Sequence, residues 1–239
     1  MKKFIIAAIG FLMALTACND FLDRSPLDTF TNTPIYWSNA GNLQNQCNTF
    51  LNNYVGYGNA GGSGWFYFRT LSDDQVSYTN NLWTYTNVVS ASSNWSDPFE
   101  EIRRANYIIE GLKMSSLPDE QKVGYEGIAR LNRAREYYLL VRQYGDVPWV
   151  GKVVGTDDGN ILYGPRTDRD VVMDSVLNDL NYASKHIEGS NKQYFTADMA
   201  LALKADVTLY EGSYCKYRTA ADNAGKAPDP TRAEKYFKE

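Results

Sequence analysis

The stretch ARLNRAREYYLLVRQYGDVPWV, residues 129–150, carries the second half of a long helix and its stop. The helix runs from about Asp119, just after Pro118, to Tyr144, and Gly145 and Pro148 end it. At 1.5 Å per residue it is roughly 39 Å long. Working outward, Thr167 and Asp170 have the spacing of a capping box, and Val172, Val176, Leu180, Ala183 and Ile187 continue with helical period. Another helix starts near Thr196 and carries Ala200, Leu203, Val207 and Tyr210, and a last one begins at Asp229-Pro230. Upstream, Asp97-Pro98-Phe99-Glu100 reads as an N-cap, a proline at the first helical position and an early acid, followed by Ile102, Ala105, Ile109 and Leu112. The first helix takes Ser38 as its cap and lines Leu43, Cys47, Phe50, Leu51 and Tyr54 along one face. Small residues recur at matching places, Ala129 and Ala134 in one helix and Ala200 and Ala205 in another, a degenerate tetratricopeptide-like repeat. The fold class is therefore all-α, built of tetratricopeptide-like helix pairs with irregular aromatic-rich loops.

The beginning of the chain reads differently. Lys2 and Lys3 precede an apolar run from Phe4 to Leu15, and Leu15-Thr16-Ala17-Cys18 places small residues before a cysteine. That is a lipoprotein signal: residues 1–17 are the leader, and Cys18 is the acylated first residue of the mature protein. Residues 18–35, with two prolines and few periodic apolar positions, form the lipidated tether, and 36–239 the helical domain. Loss of Lys2 and Lys3 with the leader takes 24 basic residues to 22 against 28 acidic ones, a charge of −6. This balance argues against nucleic acid and anionic lipid as partners. Cys47 and Cys215 read as small buried residues, and a bond between them has no support in the sequence.

CNDFLDRSP from Cys18, IRRANYIIE from Ile102, the opening stretch, YGPRTDRDVVMDSVLNDLNYA from Tyr163 and ALALKADVTLYEG from Ala200 occur in this order. Together they resemble the SusD/RagB family of outer-membrane nutrient-binding lipoproteins, with Tyr144 to Pro148 and Pro165-Arg166-Thr167 as the most specific part. The resemblance implies a cell-surface, lipid-anchored binding protein, not an enzyme and without a cofactor. Its partners would be a TonB-dependent, SusC-like transporter and the cargo it captures, commonly a glycan. Asn132 and Arg135 are more polar than the family's usual residues. Family chains run further, so this one is expected to be an N-terminal portion. Its last helices would then leave Val207, Tyr210, Tyr236 and Phe237 exposed. A lipid-anchored scaffold for protein partners is the reading of a different class, and a glycan-degrading enzyme a third.

Chemistry read from the residues favours binding over catalysis. His186, alone of its kind, follows Lys185 near a helix end, where a basic group suits the dipole; with no HExxH or CxxC it gives no metal site. Asp73-Asp74 are adjacent and do not flank a bond as glycosidase carboxylates must. Asp157-Asp158-Gly159-Asn160 lacks the spaced acids of a calcium loop and reads as a turn. Arg103, Arg104, Arg130, Arg133, Arg135 and Arg142 spread around their helices beside acids and are expected on an ion-paired surface. The informative tract is 54–95, about 24% aromatic against 14% for the chain, interleaved with asparagines. Flat rings stack on sugar CH faces and amides pair with hydroxyls. Trp65 to Phe68 and Trp95 are expected to cover the core. Trp83, Tyr85 and Tyr78, with Asn80 and Asn81, are the candidate ligand-binding residues.

Overall fold

Thr33 and Pro34 start the first described helix: the threonine hydroxyl accepts from Tyr36 N, and the proline supplies a preset φ at the first helical position. A computed structural model describes residues 32–54, 91–189, 191, 193–221, 223 and 225–239. Among them lie eight α-helices, α1 (Pro34–Trp37), α2 (Ala40–Thr49), α3 (Ser93–Met114), α4 (Asp119–Tyr144), α5 (Gly159–Leu162), α6 (Arg169–His186), α7 (Ala197–Tyr217) and α8 (Pro230–Lys238). The only pairing of β type among the described residues is a single bridge between Val147 and Thr167. None of these helices is long and apolar enough to cross a membrane.

α4 is the central element. It buries residues around much of its circumference, Ile128, Ala129, Leu131, Ala134, Tyr137, Tyr138, Leu140 and Val141 among them. It packs along α3 and α6 and touches α2 and α7. A helix apolar on one stripe could serve one neighbour; this one serves several. Its limits are those expected from Pro118 and Gly145, and Gly145 ends it at φ 71°, a backbone region that suits glycine.

Three expected helix starts move. Ser38 ends α1 and does not cap α2: its hydroxyl donates to Pro34 O and accepts from Ser116 N, while Asn39 Oδ1 caps α2. α3 begins at Ser93, four residues before Asp97, with Pro98 inside it. The loss of one helical hydrogen bond is offset by the ring contacts of Trp95 with Tyr144 and Phe99, at 5.0 and 5.1 Å, which draw the preceding turn onto the core. Asp168, not Thr167, caps α6, because Thr167 is engaged in the bridge to Val147. Thr196 and Asp229 cap α7 and α8 as expected. The alanine correspondence holds for Ala129, Ala134 and Ala200, all buried, and fails at Ala205, which is exposed.

α8 lies on α7, so Val207 and Tyr236 are fully buried, against expectation; Tyr210 is half-buried and Phe237 is 47% exposed. Ion pairs hold this end together. Arg169 and Glu211 are both buried and meet at 2.6 Å, Arg232 reaches Glu211 and Asp174, and Arg218 reaches Asp170. Burial pushes the Glu211 carboxyl above its ordinary value against the pull of Arg169 and Arg232. At Asp174 burial acts in the same direction, but hydrogen bonds and charge from Arg232 outweigh it and hold the carboxyl below the usual range.

Gly111 in α3 faces Trp37, and a Cβ added there would fall inside the indole. Alanine normally favours a helix by up to about 1 kcal/mol over glycine. Here overpacking, about 1–3 kcal/mol, outweighs it, so Gly111→Ala is expected to lower stability. Gly212→Ala, whose Cβ would come within 2.6 Å of the half-exposed Phe237 ring, should cost less because that ring can swing outward. Urea melts followed by circular dichroism test the ordering; a stabilised Gly111→Ala would mean that Trp37 is not seated in the notch.

Candidate functional site

The Gly145-Asp146-Val147-Pro148 break does more than stop a helix. Asp146 Oδ1 accepts from Arg169 N at the start of α6, and Val147 and Thr167 exchange backbone hydrogen bonds at 3.2 and 3.1 Å. The intervening loop is thereby closed at its base, and side chains from α3 and α4 fix its course. Asn106 Nδ2 donates to Val150 O and Lys152 O, Glu110 accepts from Val153 N, Arg103 donates to Val154 O, and Tyr137 OH accepts from Val150 N.

Behind this wall sits a buried charge pair. Arg133 donates to both oxygens of Asp179 at 2.8 Å and to Asn106 Oδ1 at 2.7 Å, and its guanidinium lies over the Trp149 ring. Arg130 also reaches Asp179. Arg133 thus departs from the expected solvated surface; Arg104 and Arg130 keep to it in part, paired with acids one turn away. The sequence does not disclose this burial, because Asn132, Arg133 and Glu136 stand among the similar but more exposed Arg130 and Arg135, and nothing local shows which partner neutralises them.

Two clefts flank the first turns of α3, on opposite faces by helical period. The first, of 850 Å³, is lined mostly by polar residue types, among them Asn53, Ser93, Asn94, Asp97, Glu101, Arg135, Glu136 and Gln143, with Pro98 and Leu139. Arg135 donates to Asn53 O, pairs with Glu136 and covers the Tyr54 ring. Burial raises the Glu136 carboxyl, Arg135 opposes that shift and Glu101 adds to it. Asn53 Nδ2 and, behind Arg135, Tyr54 OH are buried and have no hydrogen-bond partner among the described residues. The second cleft, of 510 Å³, is apolar: Trp95, Phe99 and Ile102 of α3 face Pro148, Val150, Val154, Ile161 and Leu162.

The described chain stops at Tyr54 and resumes at Ala91. Asn53 and Ser93, which flank the aromatic and asparagine-rich tract in the sequence, both line the polar cleft. Trp83, Tyr85, Tyr78, Asn80 and Asn81 lie outside the described residues, as do Cys18 and Trp65 to Phe68. Trp95 packs against the core, as expected, and its exposed part walls the apolar cleft. His186 Nδ1 donates to Tyr182 O, and the imidazole stacks on the Tyr182 ring. Asp158 stands at the N-cap position of the short α5, its carboxylate accepting from Gly155 N and Lys152; Asp157 lies in a turn as read, but Gly159 and Asn160 begin the helix.

One group of potential metal ligands occurs among the described residues, Asp170, Glu211 and Cys215. Its carboxylates already face Arg169, Arg218, Arg232 and Lys226. Burial and Glu211 push the Cys215 thiol up to about 12, so it offers no thiolate near neutral pH. Cationic surroundings of this kind suit an ion-pair network and not a metal. Cys47 and Cys215 are both free and buried.

Residues 20–209 match the SusD-like family model described as starch-binding and associating with the outer membrane. SusD-like protein P38 of Formosa agariphila is 32% identical over 127 residues, 53% of this chain and 24% of its own. SusD-like protein P25 of the same organism is 27% identical over 100 residues, 41% of this chain and 19% of its own. The chain therefore aligns with a quarter or less of these curated relatives. A SusD-like protein from Bacteroides fragilis superposes with a TM-score of 0.59 at 23% identity, over 80% of this chain and 38% of that one. A SusD-like carbohydrate binding protein from the same species gives 0.59 at 17%, over 75% and 39%. These two likenesses bear out the all-α, tetratricopeptide-like fold.

The buried pair behind the loop can be tested directly. Asp179→Ala leaves the Arg133 guanidinium uncompensated and should cost about 3–5 kcal/mol, whereas Glu126→Ala, which removes a partly exposed partner of Arg130, should cost at most about 1 kcal/mol. Denaturant titration of both variants checks this. Equal losses would mean that Arg133 finds water when its partner is removed.

Proposed function

Because the chain belongs to the SusD-like family, we propose that it captures an oligosaccharide or polysaccharide at the cell surface and delivers it to a TonB-dependent, SusC-like outer-membrane transporter. The observation that carries the reading is the family match from residue 20 to 209, whose description is starch-binding. Two further features support it. The tract between Tyr54 and Ala91 combines flat rings with amides, and its ends meet a cleft furnished with amide, carboxylate and guanidinium groups. A sugar needs both: CH faces to stack and hydroxyls to pair. Capture and handover require no covalent step, so the protein acts without catalysis. Trp83 and Tyr85 serve as stacking platforms, with Tyr78, Asn80 and Asn81 supplying polar contacts. Cys18 carries the lipid that holds the protein to the outer membrane, after removal of residues 1–17.

Two experiments test these parts separately. Trp83→Ala should weaken glycan affinity by about 1–3 kcal/mol, by analogy with aromatic stacking of bases, with melting unchanged. Were the ring core, the same change would instead cost about 3–5 kcal/mol of stability and leave the folded fraction's affinity intact. Tyr85→Phe keeps the ring and should lose roughly 0.5–1.5 kcal/mol of binding only if the hydroxyl pairs with sugar. Calorimetry against a panel of glycans, with melting measured on the same samples, separates the outcomes. For the anchor, Cys18→Ala should abolish incorporation of labelled fatty acid, and a variant that still labels would place the lipid elsewhere.

A further inference from the structure

The apolar cleft is distinct from the polar one in chemistry as well as position. Its floor is Trp95, Phe99 and Ile102, and its far wall the loop from Pro148 to Val154. The loop's polar groups are already engaged: Asn106 takes the carbonyls of Val150 and Lys152, Arg103 that of Val154, Tyr137 the N–H of Val150 and Glu110 the N–H of Val153. A hydroxyl-rich ligand would find few partners here. Apolar surface also continues outside the cleft, since Leu162 is 50% exposed and the adjoining Tyr163 is 89% exposed. That surface is more than a small molecule held in the cleft would cover.

The rim carries positive charge. Arg103 is held in place by its bonds to Val154 O and Tyr107 OH, and Arg166 lies over the Trp95 ring. Among the described residues neither faces a carboxylate within ion-pair distance, whereas Lys152 at the same cleft is paired with Asp158. Two guanidiniums without counter-charges in an acidic protein, next to exposed apolar surface, complement a partner of opposite sign. We propose that this cleft docks a segment of a partner protein that inserts a large apolar side chain between Phe99 and Leu162 and sets a flanking aspartate or glutamate against Arg103 and Arg166. Apolar insertion supplies affinity, and the charges fix orientation and select against basic segments. The proposal is independent of the glycan reading, which concerns the opposite face of α3.

Fluorescence anisotropy with the full chain tests it, using a labelled Gly-Glu-Leu-Phe-Glu-Gly peptide as probe. Saturable binding is expected, about tenfold tighter than for the same peptide with Lys in place of Glu or with Ser-Ser in place of Leu-Phe. Arg103→Gln should weaken it about tenfold and flatten its salt dependence, and Leu162→Asp should abolish it. Both residues are exposed, and an unchanged helical spectrum will show that the variants fold. Equal binding of the Lys peptide, or none of the Glu peptide, overturns the proposal. So does competition by an oligogalacturonate that depends on Arg103, which would make the cleft a site for acidic glycans.

Discussion

The guanidinium of Arg133 sets the geometry on which the rest of the described molecule depends. It is buried on the central helix, meets Asp179 on α6 through two parallel bonds and Asn106 on α3 through a third. Asn106 passes the constraint on, because its amide nitrogen holds two loop carbonyls. Three helices and a loop are thus placed by one planar group whose donors leave in fixed directions. An apolar residue at this position could fill the space but would not select one rotation of α6 against α4. Such a pair is weak evidence for net stability and is better understood as setting register.

The same logic recurs at the other end of the bundle, where Arg169, Arg218 and Arg232 meet Asp170, Asp174 and Glu211 across α6, α7 and α8. Between the two networks lie apolar layers that are tolerant of orientation. Polar contacts at both ends therefore specify what the hydrophobic contacts only favour. The two clefts beside α3 inherit this rigidity on one side: their helical walls are fixed, while opposite faces of one helix present different chemistry.

Much of this was legible in the sequence because its signals are local. Gly145, Pro118, Thr196 and Asp229-Pro230 each act on backbone within one turn, and the helix limits they mark are those observed. Pro98 misled for the complementary reason: its local cost is outweighed by Trp95 packing on Tyr144, 49 positions further along. Arg133 and Arg169 were unreadable as buried residues, since what permits their burial stands 46 and 42 positions away. Tyr236 and Val207 were misjudged because the pattern of α8 does not disclose how completely nine residues cover α7. For the aromatic and asparagine-rich tract, composition suggested a kind of chemistry, but only the fold shows that the described residues flanking it, Asn53 and Ser93, line one cleft.

That shared anchorage has an evolutionary consequence. For a chain closed between two fixed points, the entropic cost grows with the logarithm of its length, about 0.6 kcal/mol for each doubling. The ends at Asn53 and Ser93 are held by helices whose packing rests on Trp37, Gly111 and Arg135, all outside the tract. By this closure cost alone, a change in the number of residues between them is inexpensive. Descendants of one scaffold could therefore differ in the length of this interval while inheriting the same helices on either side of it.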